Sequence, residues 1–397
     1  MSDIPWNGLD GANPLHFMAS LGALRLLSRG DDAATVRWAW REGAWRPTFA
    51  LSAVPGAPSA SPFQSVADFL SSWLIALSAT SSPDSGSQRR VRELKAKLNG
   101  LKTDLKSIDK SSRSEAKSLG LSKAERSVHI LAAREGVVRQ IEETQTELAT
   151  ASDELTDQLG IGIAHLGDII GVPEDLFRRR AVTSVERWLS SRGSGRPDTP
   201  STDDPELVME SLSSQACDGL VQEGRVVPTP YSFGNGASGQ CLLKDFRACA
   251  QSCTPEAVTA SITGEGLLRD DLSGLNWDPA DQRSYALQWR NPEKGKRIEA
   301  VPNALAFVGL MLLPLAPGSR DRAVAWRVDR DGQAFSWPLW DPPLRLRAVR
   351  GLLAGAGWRR DGGDPALLRK CGILEVRESA RINPTGKRPF FAPSRSV

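Results

Sequence analysis

Three histidines, His16, His129 and His165, and the pair Cys249 and Cys253, four residues apart, are the side chains best suited to acid–base or metal chemistry in this 397-residue chain. Each histidine falls alone within a segment of helical pattern, with no second ligand or base close by in sequence. That setting suits packing or a surface position more than catalysis. A tetrahedral zinc site built on the cysteine pair needs two further ligands at suitable spacing, and none is evident. The chain contains no Walker loop, nucleophile elbow, His–Glu metal motif or paired-carboxylate cluster. Scattered acids such as Asp270, Asp271 and Asp278 are the nearest approach to a metal-dependent hydrolytic set. The expectation is a chain that is not an enzyme and uses neither a metal nor a cofactor.

Binding chemistry is better represented. The run Tyr231-Ser232-Phe233-Gly234-Asn235-Gly236-Ala237-Ser238-Gly239-Gln240 carries three glycines, which let backbone amides approach a phosphate or a partner's backbone closely. Asn235, Ser238 and Gln240 add hydrogen-bonding side chains there. The same run also fits a tight strand-to-helix connection, because it lacks a phosphate-binding lysine signature.

Charge is segregated along the chain, although the net value is only +3. Between Asp198 and Glu223 every charged residue is acidic. From Leu344 to Val397 the chain carries Arg345, Arg347, Arg350, Arg359, Arg360, Arg369, Lys370, Arg377, Arg381, Lys387, Arg388 and Arg395 against few acids, so a basic C-terminal surface is expected. A second basic run includes Arg89, Arg92, Lys95, Lys97, Lys102, Lys106, Lys110, Arg113 and Lys117. Clustered cations neutralise phosphates and release counterions, while a solvated helix face produces similar runs. The candidate phosphate contacts are Lys387, Arg388, Lys102 and Lys106. Asn or Gln can pair with an adenine edge, and Arg or Lys with guanine or phosphate.

The elements that position these residues follow from periodicity. Val91, Leu94, Leu98, Leu101, Leu105 and Ile108 recur at alternating spacings of three and four, a heptad seam flanked by Lys and Glu. A polar break over Lys110 to Ser122 precedes a second seam through Val128, Leu131, Val138, Ile141, Leu148 and Leu155, so the two helices are expected to fold back antiparallel. Further helix is expected through Ile161 to Leu189, interrupted near Gly171-Val172-Pro173. Outside this region Leu15 to Leu27 reads as an apolar helix opened by Asn13-Pro14. Val36 to Glu42 and Trp45 to Leu51 read as a hairpin around Gly43, and Ile373 to Ile382 with Lys387 to Phe391 as another, turning at Asn383-Pro384-Thr385-Gly386. Tryptophan punctuates both ends of the chain and is missing from the middle, which marks the middle as a different kind of structure.

The predicted fold is therefore α+β: a mixed α/β body split by an inserted antiparallel helical (coiled-coil) hairpin. Its divisions are 1–87, the N-terminal part of the body; 88–190, the inserted hairpin or bundle; 191–224, an acidic linker; and 225–397, the rest of the body with a basic terminal hairpin. A hydrophobic content of 40% is ample for a sizeable core. Five cysteines at 217, 241, 249, 253 and 371, without disulfide-like cadence, suit free thiols in a reducing compartment. The N-terminus lacks a signal pattern, and the longest apolar stretch, Ala304 to Ala316, is too short to span a bilayer and contains Pro314, so a cytoplasmic address is expected.

Several short motifs carry a resemblance. Asn13-Pro14-Leu15 with Phe17 and Leu21-Gly22-Ala23-Leu24-Arg25-Leu26-Leu27 resembles the opening helix of the large-subunit proteins of type I CRISPR–Cas effector complexes, especially the G (formerly U) subtype. The Ser232 to Gly239 loop looks like a second landmark. Trp277-Asp278-Pro279, Asp281-Gln282-Arg283, Tyr285-Ala286-Leu287, Asn303-Ala304-Leu305-Ala306, Leu313-Pro314-Leu315 and Ser336-Trp337-Pro338-Leu339-Trp340 add others. The resemblance covers the two body segments and not the heptad insert, and this chain is short for a large subunit. It implies a non-catalytic subunit that touches CRISPR RNA and target DNA, sits with backbone and end subunits, and helps recognise the motif flanking the target. Cleavage then belongs to a helicase-nuclease recruited in trans. A coiled-coil scaffold or regulatory protein without a nucleic-acid role is the alternative reading.

Overall fold

A computed structural model describes residues 2–54, 61–78, 85–157, 173–191, 204–222, 224–233, 242–265, 271–280, 298–315, 323–330, 332–355, 358, 364–383 and 389–397. The chain mixes helix and sheet and divides into two compact units, one of Met1–Ala79 with Gly160–Val397, the other of Thr80–Leu159. Among the described residues no helix is long and apolar enough to cross a membrane.

The larger unit is organised around α1 (Pro14–Gly30). The Asn13 side chain accepts from the Leu15 amide at 2.9 Å, and Pro14 follows in the first turn, where its missing N–H costs nothing. Apolar residues on every side of the helix, from Leu15 through Leu27, leave it buried nearly all round. Beside it lies α9 (Ala300–Gly309), which is also buried along its whole length. The two backbones approach so closely that a Cβ on Gly22 would lie 1.8 Å from the Leu305 carbonyl oxygen, and one on Gly309 would lie 2.0 Å from that of Met18.

Two antiparallel sheets flank these helices. The first has order β1-β3-β2-β8, from Ser2–Pro5, Ala44–Leu51, Thr35–Arg41 and Leu344–Arg345. Its β2–β3 turn places Glu42 and Gly43 at φ of 50° and 76°, the left-handed pair that a tight hairpin needs. The second has order β10-β9-β7-β6, from Phe390–Phe391, Ile373–Ile382, Gly332–Trp340 and Trp326–Asp329, with β11 (Arg395–Ser396) also pairing β9. Phe17 of α1 joins both sheets: its ring lies 5.8 Å from Trp38 and 5.6 Å from Trp337, and edge-on to Trp340 at 6.2 Å. The Trp337 indole donates to the Gly11 carbonyl, and the Trp340 indole to that of Val36. Tryptophans from the two ends of the chain thus share one core.

The helices α2 (Pro62–Ser78), α7 (Leu242–Gln251) and α8 (Pro255–Thr263) pack together in the same unit. Two expected boundaries are corrected. The segment 191–224 is no mere linker, because α6 (Pro205–Gln215) and the β4–β5 ribbon (Ala216–Gln222, Arg225–Pro228) form within or beside it. Nor does the insert run to 190: α5 (Glu174–Ser191) belongs to the larger unit, since its Leu176 and Phe177 are buried against Val208, Leu212 and Val226. The acidic run itself is held by cations. Arg25 contacts Glu206 and Glu210, Arg29 contacts Asp204 and Glu206, and Arg350 contacts Glu210.

The smaller unit is α3 (Ser85–Ser118) and α4 (Lys123–Asp157), joined through Gly120 at φ 65°. Ser122 and Glu125 cap α4 reciprocally, each side chain accepting from the other's amide. The ion pairs Arg90–Glu154, Asp109–Arg134 and Glu115–His129 fix opposite chain directions for the two helices. Val91, Leu94 and Ala151 form a small core with Leu148. The expected α4 seam is corrected at its start: Val128 and Leu131 are 67% and 63% exposed, whereas Thr144 and Ala151 are buried. Near the turn the contact uses the small side chains Ser112 and Ala116, both buried, rather than large apolar ones.

Replacing Gly22 or Gly309 with alanine is expected to cost about 3 kcal/mol or more, because backbone carbonyls cannot yield to the new methyl group. Gly100→Ala, in open space on α3, is expected to stabilise by about 0.5–1 kcal/mol. Denaturant midpoints of the three variants check both signs.

Candidate nucleic-acid interface

On α3, Lys102 and Lys106 are exposed and one turn apart. Each follows an apolar seam residue by one position, Leu101 and Leu105, and the same offset sets Arg92 after Val91 and Lys95 after Leu94. The exposed cations therefore form a stripe along the margin of the apolar seam rather than a scattered surface. Arg113 and Lys117 carry it toward the turn. Acids in the same region are partly engaged, Asp109 by Arg134 at 3.1 Å and Glu115 by His129 at 3.5 Å.

In the larger unit, Asn235, Ser238, Gln240, Lys387 and Arg388 lie outside the described residues. The residues flanking them are described, and they meet. Phe233, immediately before the glycine run, packs edge-on against Phe391, three positions after Arg388, with ring centroids 4.8 Å apart. Phe391 is placed by its pairing with Arg381 across β9–β10, and Phe233 by a turn in which the Ser232 amide donates to the Thr229 carbonyl at 2.9 Å. Phe233 and Phe391 are thus neighbours in the core.

The expected basic C-terminal surface is thinner than the count of arginines implies. Arg350 pairs with Glu210, Arg377 with Glu375 at 2.7 Å, and Arg395 with Glu378 at 3.0 Å. Glu378 is buried and also accepts from Ser336 and from both Nε and Nη2 of Arg327. Burial opposes ionisation of this carboxyl, but the Arg395 and Arg327 contacts outweigh it and hold its pKa below the usual range. Arg345, Arg347, Arg369 and Lys370 remain exposed, and Arg359 and Arg360 lie outside the described residues.

Arg381 is set apart from its neighbours. Its side chain crosses to β7, where Nη1 donates to Gln333 Oε1 at 2.5 Å, and its guanidinium lies 5.4 Å from the centre of the Phe233 ring. It has no carboxylate partner among the described residues. Residue-by-residue sequence reading places Arg381 only as one member of the basic tail. The signal that sets it apart is strand alternation: Arg377, Ser379 and Arg381 share the face of β9 that meets Trp337, Phe335 and the aromatic core.

The histidines and cysteines have structural surroundings. His16 Nδ1 accepts from the Asp10 amide at 3.1 Å, and Nε2 faces Glu299 at 3.3 Å. Asn13, one turn earlier, donates to Asp278, which also accepts from the Ala280 amide. Burial alone would depress the His16 pKa. The Glu299 carboxylate, with Asp278 and Asp10, more than offsets it and raises the pKa above the ordinary value. Cys249 and Cys253 are buried, with the Cys253 thiol donating to the Cys249 carbonyl at 3.3 Å, and Cys371 is exposed. Among the described residues no group of His, Cys, Asp and Glu is arranged to hold a metal. Asp270 lies outside them.

No family model matches the chain, and no curated protein matches it either.

Because the folded-state pKa of His16 is raised, its protonated form contributes stability that is complete below about pH 6.5 and is lost as pH rises through the higher folded-state value. His16→Gln is expected to flatten the fall in Tm between pH 6 and 8. An unchanged slope in thermal scans across that range counts against the Glu299 pairing as its source.

Proposed function

We propose that the chain is a non-catalytic subunit of an RNA-guided type I CRISPR effector complex, acting in antiviral defence in the cytoplasm. In this reading it helps the assembly bind target DNA and recognise the target-flanking motif beside CRISPR RNA. Backbone and end subunits accompany it, and a helicase-nuclease recruited in trans cuts the DNA. The observation that carries the reading is the Phe233–Phe391 contact. Phe233 precedes the stretch carrying Asn235, Ser238 and Gln240 in sequence, and Phe391 follows the one carrying Lys387 and Arg388, two stretches of complementary chemistry, amide and cation. The cation stripe through Lys102 and Lys106 gives the α3–α4 pair, read as an inserted coiled-coil hairpin, a second surface suited to phosphate.

A scaffold role for that helical pair has its own support. Leu119, Val128 and Leu131, all at least 60% exposed, lie near its turn, where an apolar partner surface would bury them. Natively purified protein distinguishes the two readings: RNA and companion subunits should accompany the chain, raising absorbance at 260 nm relative to 280 nm. Within the assembled complex, the double change Lys387→Ala with Arg388→Ala is expected to weaken DNA binding and make its salt dependence shallower, by about 0.9 in the log–log slope per lost phosphate contact. Binding and slope equal to those of the unaltered complex reject the terminal turn as a phosphate contact.

A further inference from the structure

At the end of the second sheet where Phe233 and Phe391 meet lies one arginine that has no carboxylate partner among the described residues. Arg381 is half buried there, and burial pulls its pKa below the ordinary guanidinium value. A partly desolvated cation ordinarily sits beside a carboxylate, as Arg327 and Arg377 of the same sheet do. Among the described residues Arg381 has instead a neutral amide oxygen and an aromatic face.

A structural cap on the aromatic cluster accounts for the contact between Arg381 and the Phe233 ring, but leaves the guanidinium without a counter-charge. An anion accounts for both, because it supplies that charge at the part of the side chain that remains exposed. We propose that Arg381, seated over Phe233, grips a backbone phosphate of bound nucleic acid. This rests on the nucleic-acid reading above and adds a specific, pre-positioned contact to it. A guanidinium already fixed by Gln333 and Phe233 loses little side-chain freedom on binding, unlike a long cation free in solvent. A free phosphate shares the chemistry. The nucleic-acid backbone is favoured because Phe233 leads directly into the glycine run, and the strand holding Arg381 leads into the turn with Lys387 and Arg388.

The test uses the natively purified full-length protein, stripped of any accompanying RNA, and a fluorescently labelled single-stranded oligonucleotide. Binding is followed by anisotropy across a chloride series. Arg381→Gln is expected to bind about tenfold more weakly at low salt, with a slope of log K against log salt shallower by about 0.7. Arg381→Lys should restore the slope, and Arg37→Gln, which removes an exposed arginine from the first sheet, should leave affinity and slope within twofold of the unaltered protein. Inorganic phosphate at matched ionic strength should compete with the oligonucleotide on the unaltered protein and not on Arg381→Gln. If Arg381→Gln lowers Tm but keeps affinity and slope, Arg381 is a structural cap and the inference falls while the nucleic-acid reading stands. Equal losses from Arg37→Gln and Arg381→Gln reduce the effect to bulk charge and also overturn it. If the unaltered protein binds no oligonucleotide, both fail. Phosphate binding that persists in that case, read by Trp fluorescence, assigns the site to the free ion instead.

Discussion

The contact between α1 and α9 is the constraint on which the larger unit depends. Two helix backbones lie within reach of each other only because Gly22 faces the Leu305 carbonyl and Gly309 faces that of Met18, leaving no room for even a methyl group at either crossing. That approach sets how far α9 enters the layer, and with it the position of Asn303, whose side chain accepts from the Leu275 amide and so carries the 271–280 segment. That segment brings Asp278 to Asn13, and Glu299, the residue before α9, faces His16. A polar cluster thus closes over the start of α1 at the place where the apolar packing ends. Glycine within a helix ordinarily weakens it by up to about 1 kcal/mol, a cost that the close packing of two buried helices offsets here.

A second constraint is electrostatic. Arg25 is completely buried on α1, and a guanidinium in that position is tolerable only when its charge is matched. Glu206 and Glu210 of α6 supply the match, and Arg29 with Asp204 extends the network. Arg29 also lies over the Trp73 ring of α2 at 5.7 Å, so one helix turn of α1 ties three elements together. The acidic stretch that looks like a solvated linker in the sequence is therefore the counter-charge of the core helix. Removing one member of such a set strands the others, which makes it a device for fixing position more than for adding stability.

What the sequence makes legible follows from the range of the interactions involved. The start of α1 is readable because Asn13 and Pro14 act within one turn, and the β2–β3 hairpin because Glu42-Gly43 acts within two residues. The α3 seam is readable for the same reason, its apolar period being local. The α4 seam begins differently because Val128 and Leu131 satisfy the period but not the partner: α3 offers Ser112 and Ala116 near the turn, where large side chains have nothing to fill. The place of α5 was equally hidden, since Leu176 and Phe177 reveal their face only when Val226, far along the chain, supplies the other side. For the candidate interface, residue types mark the two candidate stretches locally, whereas the Phe233–Phe391 contact between their described flanks spans more than 150 residues.

Charge counting fails in a related way. The C-terminal region looks uniformly basic in one dimension, yet three-dimensional pairing divides its arginines into those that hold the sheet together and those that do not. Arg395 and Arg327 converge on Glu378 from the two sides of β9, a row that spans four strands, β11, β9, β7 and β6, and such residues are unavailable to an outside anion without exposing a buried carboxylate. Glu375 does the same for Arg377 while also accepting from the Trp45 indole at 2.6 Å, so that this pair links the second sheet to the first. The local electric field of the sheet is therefore set by the few cations left over after these pairings, rather than by the total. A surface built in this way discriminates by position: an anion gains most where a cation is already fixed, partly dehydrated and lacking its own carboxylate, and gains little over the internally neutralised rows beside it.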